Sequence, residues 1–222
     1  MKKKYYVAII IAVFNLTTIY AQLDSVHYFP PLKQAADIDA IEDQRIYFST
    51  PEMTAFSVDI YKGTSTTPWA TITGLSKGAP KKYNPGNGDN NITLVSNTNT
   101  GIVLSNSGLR FEAPGGEKFY VNYRGRSSFQ AGSLTCKGKA ALGTEFRWGG
   151  IPNRAVAAGK LSNSLGIMAT ENNTQVVISG YDTDCEFRLG DDPVGITSNI
   201  ITKTLDKGQT YVLEAIPTEN PA

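Results

Sequence analysis

The sequence is poor in the residue types on which most catalytic and metal sites depend. Its 222 residues include one histidine and two cysteines, and only 18% of the chain is charged. A nucleophile activated by histidine and a histidine-rich metal site both need partners that are scarce here. The single histidine, His27, is expected to be an ordinary polar residue on an extended N-terminal segment. We therefore predict no catalytic residues, no metal site and no enzyme activity.

Long apolar runs are also scarce, apart from one at the N-terminus. Three lysines at positions 2–4 precede an apolar stretch that is too short to span a bilayer, and the small residue Ala21 precedes Gln22. This order is typical of an export signal, so residues 1–21 are predicted to be a cleaved signal peptide. The remaining chain is predicted to be secreted or held at the cell surface, with no transmembrane segment.

The exported chain lacks an excess of positive charge. The full sequence has a formal net charge of +1, and the first 21 residues contain three lysines and no acid, so their removal leaves −2. Binding to nucleic acid or to an anionic membrane through general attraction requires a broad basic surface. We therefore predict no nucleic-acid partner.

Helix signals are confined to one place. Residues 31–44 have a helical composition and predict one short helix, next to an N-terminal segment at 22–41. After that, short runs of β-branched and aromatic residues alternate with clusters of Gly, Asn, Asp, Pro and Ser, which is the pattern of strands and turns. The predicted strands cover residues 45–49, 56–61, 69–72, 92–95, 101–104, 109–112, 118–123, 145–148, 165–170, 174–179, 185–189, 200–205 and 209–216.

Several of these runs alternate between apolar and polar residues. Phe119, Val121 and Tyr123, for example, fall on one face of a strand, and the polar residues between them fall on the other. A period of two predicts strands of antiparallel sheets with one face buried. The fold class predicted is therefore all-β, built from antiparallel β-sandwich-like units.

An internal repeat divides the chain. Residues 46–54 (IYFSTPEMT) are echoed 120 residues later by GIMATENNT, and the Leu-x-Lys-Gly block at 75–78 recurs 130 residues later. The change in offset predicts one insertion between the two blocks. The glycines of the two blocks, Gly78 and Gly208, are predicted to occupy equivalent hairpin turns with a positive φ.

This repeat sets the predicted domain organisation. A first β unit is expected at residues 42–150 and a second at 160–222, with a connector at 151–159. The second copy stops soon after its Lys-Gly block, so we expect it to be incomplete.

The two cysteines, Cys136 and Cys185, leave two alternatives open. They are either buried free thiols or partners in one disulfide, since an exported chain is in a compartment where disulfides persist. Spacing alone does not decide whether they meet in space. Neither cysteine has a CxxC partner or a nearby histidine, so no metal role is predicted.

Aromatic and arginine residues around 120–126 and 147–148 are the candidate binding site. Rings and guanidinium groups are enriched at recognition surfaces. The alternative is a set of core aromatics with solvated arginines on the opposite strand face. The candidate binding residues are Tyr120, Tyr123, Arg124, Arg126, Arg147 and Trp148.

Two loops are rich in oxygen-bearing side chains. One spans residues 84–91 (NPGNGDNN), and the other carries aspartates at 182, 184, 191 and 192. Calcium is bound by six to eight oxygens, but neither loop matches a defined calcium motif. Turn chemistry explains both, so no cofactor is predicted and calcium is kept as an alternative.

Three motifs together point to a family. ALGTEF at 141–146, ATENNT at 169–174 and LDKGQTY at 205–211 occur in that order. Over about residues 25–222 the chain resembles the IgGFc-binding-protein N-terminal domain, in the form found in Bacteroidetes surface proteins. Those proteins are often described as gliding-motility-associated or adhesin-like and often carry a type IX secretion sorting domain.

The resemblance implies a non-enzymatic extracellular or cell-surface adhesion or interaction module, the N-terminal part of a larger surface protein. It supplies no catalytic residues. The expected partners are a cell-surface glycan or protein and further domains of the same chain. The alternative is a carbohydrate-binding module of a secreted glycan-degrading enzyme.

Overall fold

Strands account for nearly all of the regular structure. The computed structural model describes residues 22–34, 41–128, 131–149 and 162–216, so the predicted signal peptide and connector lie outside the described residues. Helical turns in the described part are two short 3-10 segments, Asn97–Asn99 and Lys139–Ala141. The predicted all-β class is confirmed. No helix of the described residues has the length and apolar character needed to cross a membrane.

The described strands, in chain order, are β1 Val26–Phe29, β2 Leu32–Lys33, β3 Asp43–Ser49, β4 Phe56–Lys62, β5 Ala70–Leu75, β6 Lys81–Tyr83, β7 Leu94–Val95, β8 Val103–Leu104, β9 Leu109–Glu112, β10 Tyr120–Arg126, β11 Ala131–Thr135, β12 Lys137–Gly138, β13 Asn163–Met168, β14 Thr174–Ser179, β15 Phe187–Leu189, β16 Asp192–Ile196, β17 Ile200–Leu205 and β18 Thr210–Ala215.

Two antiparallel sheets form a first sandwich. One has the strand order β12-β1-β9-β4-β5 and the other β11-β10-β3-β6. Their inner faces share one core, in which Ile60 and Phe111 of the first sheet meet Phe48 and Val121 of the second. All four side chains are at most 1% exposed, so burial of apolar surface is the main force that holds the two sheets together.

A second, smaller sandwich follows in sequence. The sheet β13-β18-β15-β16, with β8 added beside β18, packs against the two-stranded sheet β14-β17. Its core joins Phe187 and Leu213 from the first of these sheets to Leu205 from the second. Because β8 comes from the chain segment of the first sandwich, the two sandwiches are joined by hydrogen bonds between strands as well as by the connecting chain.

The two sandwiches repeat the same four-strand pattern. In the first, β4 pairs with β5 while β3 pairs with β6. In the second, β14 pairs with β17 while β13 pairs with β18. In each pattern the first and last strands pair with each other in one sheet, and the other two strands pair with each other in the opposite sheet. The hairpin β15–β16 lies between β14 and β17, where the sequence predicted an insertion.

The N-terminal part of the chain corrects two predictions. Residues 26–29 are not a separate extended segment, because β1 lies inside the first sandwich and pairs with β9 and β12. The predicted helix at 31–44 is wrong where the structure describes it: Leu32–Lys33 is a strand parallel to β7, and Asp43 begins β3. Residues 35–40 lie outside the described part.

The predicted strand at 145–148 is also absent, and those residues are irregular.

His27 is a core residue, contrary to the expectation. Its side chain is fully buried and its ring packs 4.8 Å from that of Phe119. Nε2 lies 2.7 Å from the carbonyl oxygen of Phe119 and 3.2 Å from that of Asp24, so Nε2 carries the hydrogen and donates. This histidine therefore ties β1 to the start of β10.

The structure contains no bridge between Cys136 and Cys185, the second of the two alternatives left open by the sequence. Both cysteines are free thiols, and they belong to different cores. Cys136 is buried in the core of the first sandwich, whereas Cys185 packs against the core of the second. Burial raises the pKa of the Cys136 thiol to about 12, which makes it a poor nucleophile at neutral pH.

Candidate binding surface

The outer surface of the sheet β11-β10-β3-β6 carries the candidate site. Alternation along β3 and β10 turns every second side chain into the core and leaves the others outside. We call the outer surface of this sheet the basic face. Its members are Asp43, Arg45, Tyr47, Lys82, Tyr120, Asn122, Arg124, Arg126 and Ser133.

Strand register brings the arginines of the basic face together. Arg45 on β3 lies directly opposite Arg124 on β10, and Arg126 lies opposite Asp43. Asp43 does not pair with Arg126, because its Oδ1 accepts from Arg45 at 2.7 Å. Within the described residues Arg124 and Arg126 form no salt bridge, so the middle of the face holds two uncompensated cations.

Arg124 is held in place by neutral neighbours. Its Nε donates to the Oδ1 of Asn122 at 3.0 Å, and its guanidinium carbon lies 5.0 Å from the centre of the Tyr47 ring. Asn122 in turn donates to the carbonyl oxygen of Leu134 on the neighbouring strand at 3.2 Å. These contacts orient the guanidinium while leaving its terminal nitrogens without a salt-bridge partner.

A shallow depression lies at the centre of this group. It has a volume of about 480 Å³ and its lining includes Arg45, Tyr47, Arg124, Arg126 and Ser133. The short side chains of β11 leave this space open, and the Tyr47 ring, 39% exposed, forms part of its floor. The depression is open to solvent and can receive a group that approaches from outside the sheet.

The six predicted binding residues do not all lie on one surface of the structure. Tyr120, Arg124 and Arg126 lie on the basic face. Tyr123 does not, because it is 3% exposed and its hydroxyl donates to the Oε1 of Gln44 inside the core at 3.0 Å. Burial raises the pKa of Tyr123 to about 12. Odd and even positions of one strand cannot share a surface, so Tyr123 is removed from the candidate site.

Arg147 and Trp148 are also not part of this site. Arg147 pairs with Glu145 at 2.8 Å in a fully solvated position, with 91% of its side chain exposed. Trp148 is 37% exposed, and neither residue lines the depression. Residues 145–148, predicted as a strand, are irregular and do not pair with β10.

Sequence reasoning missed Arg45, Tyr47 and Lys82. Their side chains join the site because β3 lies between β10 and β6. The alternation of residues 43–49 does place Arg45 and Tyr47 on one outward face. Nothing in that pattern identifies β10 as the neighbouring strand.

The two oxygen-rich loops use their side chains to form turns. The Oδ1 of Asn90 accepts from the backbone N–H of Ile92 and Thr93, both at 2.8 Å. Asp182 and Asp192 accept in the same way from N–H groups two residues further on. Within the described ranges no group of three or more His, Cys, Asp or Glu side chains is arranged to hold a metal ion.

Comparison with known proteins gives one match. The model of a family described as IgGFc binding protein matches residues 131–220. This confirms the resemblance over that part of the chain, which runs from β11 to just beyond β18. No curated protein and no solved structure matches the chain. The matched part is similar to an extracellular binding or interaction module.

The match and the basic face overlap only at one edge. Residues 131–220 include β11, with Ser133, but not β3 or β10, which carry the arginines. The family therefore indicates the general character of the matched region. The assignment of a ligand surface rests on the geometry of the first sandwich.

Proposed function

We propose that this chain is an exported, non-enzymatic interaction module that binds a cell-surface glycan or protein through its basic face. The observation that carries the proposal is the pair of uncompensated cations, Arg124 and Arg126, in an open depression beside the exposed ring of Tyr47, which together with Asn122 orients Arg124. Arginine and tyrosine are enriched where proteins recognise ligands. The similarity of residues 131–220 to an extracellular binding family supports the same class of function.

We further propose the setting in which this module works. Residues 1–21 have the composition of an export signal, and three motifs of the chain resemble surface proteins of Bacteroidetes. A role in attachment or gliding at the cell surface is consistent with both features. The only histidine is committed to backbone carbonyls in the core, which supports binding and not catalysis as the activity.

The proposal is tested by blocking the basic face with a bulky side chain. Ser133 is exposed and lies opposite Arg124, so a Ser133→Trp variant fills the depression without entering the core. Thr202 is an exposed residue of β17 in the second sandwich, and Thr202→Trp is the matched control. Residues 22–222 and both variants are applied to arrays of extracellular glycans and proteins, including immunoglobulin Fc.

The expected result is that Ser133→Trp abolishes the main binding signal, whereas Thr202→Trp retains it. Thermal unfolding of both variants shows whether the fold is kept. Loss of binding with Thr202→Trp alone would move the binding surface to the second sandwich and contradict the proposal.

A further inference from the structure

We infer that the basic face binds an acidic polysaccharide, whose carboxylate or sulfate groups are held by Arg124 and Arg126. This inference rests on the proposed function and specifies its ligand class. Three features of the face support it: an unfavourable pair of like charges, a diagonal row of cations, and the hydroxyl groups beside them.

The like-charge pair is the first feature. Arg45 and Arg124 lie directly opposite each other on adjacent antiparallel strands, where like charges destabilise a sheet. Only Arg45 has a carboxylate partner. Local conflicts of this kind are expected at functional sites, because the cost in the free protein is offset when an anion binds.

The arrangement of cations is the second feature. Lys82 on β6, Arg45 on β3 and Arg126 on β10 lie on a diagonal across three neighbouring strands, and Arg124 lies directly beside Arg45. Sheet geometry separates such positions by about 5 Å between strands and about 7 Å along one strand. A polymer with an acidic group on successive units can contact several of these cations at once, whereas a single small anion can contact only one or two.

The chemistry of the remaining surface is the third feature. Ser133 and Thr135 of β11 place two hydroxyls beside the arginines. Such groups match the hydroxyls of sugars. Protein interfaces usually have an apolar centre, and here the outward aromatic side chains are only Tyr47 and Tyr120 among the members of the basic face. The surface therefore favours a polyhydroxylated anion over an acidic protein.

The second sandwich carries the opposite charge and disfavours binding of a polyanion. Residues 162–216 contain three basic and eight acidic residues, a formal net charge of −5. A polyanion is therefore repelled by the second sandwich and attracted by the basic face. Binding is a local property of this face, since the exported chain as a whole has a formal charge of −2.

The test uses polysaccharides that differ only in charge. Polygalacturonate is compared with its fully methyl-esterified form, and dextran sulfate with dextran, by isothermal titration calorimetry on residues 22–222. We expect binding to the carboxylated or sulfated form only, with an affinity that falls as salt is raised. The two pairs show which anionic group is preferred.

The variant for this test is Arg124→Gln with Arg126→Gln. Loss of charge-assisted hydrogen bonds is expected to lower the affinity about tenfold or more. Lys137→Gln with Lys139→Gln removes the same charge from exposed positions outside the basic face, and this control should keep the affinity within about twofold of the wild type.

Three results would overturn the inference. These are equal binding of charged and neutral polysaccharides, no binding of any acidic polysaccharide, and binding confined to acidic proteins or to a second copy of this chain. If Ser133→Trp abolishes array binding while the double arginine variant retains it, the proposed function stands and the acidic ligand class fails.

Discussion

Gly78 and Gly208 adopt the same left-handed conformation, with φ of +83° and +84°, at the third position of two Lys-Gly turns. In the first turn the N–H of Ala79 donates to the carbonyl of Ser76 at 2.9 Å, and in the second Gln209 donates to Asp206 at 2.8 Å. A positive φ at the third position is what a type II turn requires. The predicted equivalence of the two glycines is confirmed, although each turn links strands of opposite sheets and closes no hairpin within one sheet.

The surroundings of these glycines differ, and this predicts unequal effects of alanine. A Cβ on Gly78 would meet nothing within 4 Å, whereas one on Gly208 would lie 2.8 Å from the Cα of Thr64. Gly78→Ala should lower the free energy of unfolding by about 1 kcal/mol, because a residue with a Cβ disfavours the left-handed conformation. Gly208→Ala should cost at least about 1 kcal/mol more, because backbone must move.

Urea denaturation of the two variants measures this difference. Equal losses of stability would contradict the close packing of the second turn against the first sandwich.

Much of this fold was readable from the sequence because its strands alternate. The bounds of β9, β14 and β17 match the predicted ones, since each is a β-rich run between clear turn residues. β1 was missed because Val26–Phe29 is a short run followed directly by two prolines, and β11 was missed because Ala131–Thr135 is rich in small residues.

The candidate site was only partly predictable for a different reason. Alternation put Arg124 and Arg126 on an outward face, but it equally placed Tyr123 on the inner one. The contribution of Arg45 depends on which strand lies beside β10, and pairing between distant strands is not encoded in the local pattern of a single sequence.

A buried ion cluster predicts a large loss of stability on Glu214→Gln. The Oε2 of Glu214 accepts from the Nε of Arg188 at 2.6 Å and lies 3.7 Å from the Nζ of Lys33, with only 2% of its side chain exposed. Removal of the carboxylate charge leaves two cations without an anion, so the free energy of unfolding should fall by about 3 kcal/mol.

The matched control for this variant is Glu145→Gln. Glu145 pairs with Arg147 in full solvent, so its loss should leave the unfolding free energy nearly unchanged. Similar effects of the two substitutions would show that the Glu214 cluster is not a stabilising feature of the fold.

His27 predicts a pH dependence of stability below neutrality. Burial lowers the pKa of His27 from its usual 6.5 and outweighs the carbonyls of Phe119, Asp24 and Cys136, which favour the charged form. In the unfolded chain the imidazole takes up a proton as the pH falls through about 6.5, whereas in the folded chain it stays neutral to a lower pH. Stability should therefore decrease from about pH 6.5 downwards, by up to about 1.4 kcal/mol per pH unit.

Because the chain has one histidine, its NMR titration reports this pKa directly. His27→Gln, whose amide can replace the donor at Nε2, should have a flatter stability profile over the same range. Asp24 does not contribute in this window. Burial acts to raise its pKa, but the N–H groups of Lys139 and Ser25 together with Lys118 lower it below 3.8. A titration midpoint at or above 6.5 would contradict the buried position of His27.

The cysteines predict a difference in reactivity. Cys136 is 4% exposed with a pKa raised to about 12, whereas Cys185 is only partly buried. In native, unreduced protein at pH 8, iodoacetamide should modify Cys185 well before Cys136, and denaturation should make two thiols available. A Cys185→Ser variant should leave native protein with almost no reactive thiol. Recovery of no free thiol after denaturation would mean that the two cysteines are bridged.

The central claim is that ligand is bound at the basic face of the first sandwich. Arginine footprinting with phenylglyoxal, read by mass spectrometry with and without polygalacturonate or dextran sulfate, tests it most directly because the chain contains its own reference. We predict that at least one of these polyanions protects Arg124 and Arg126 from modification, whereas Arg147, with 91% of its side chain exposed, is modified at the same rate in all samples. Unchanged modification of Arg124 and Arg126 with both polymers, or protection confined to Arg147, would contradict the account.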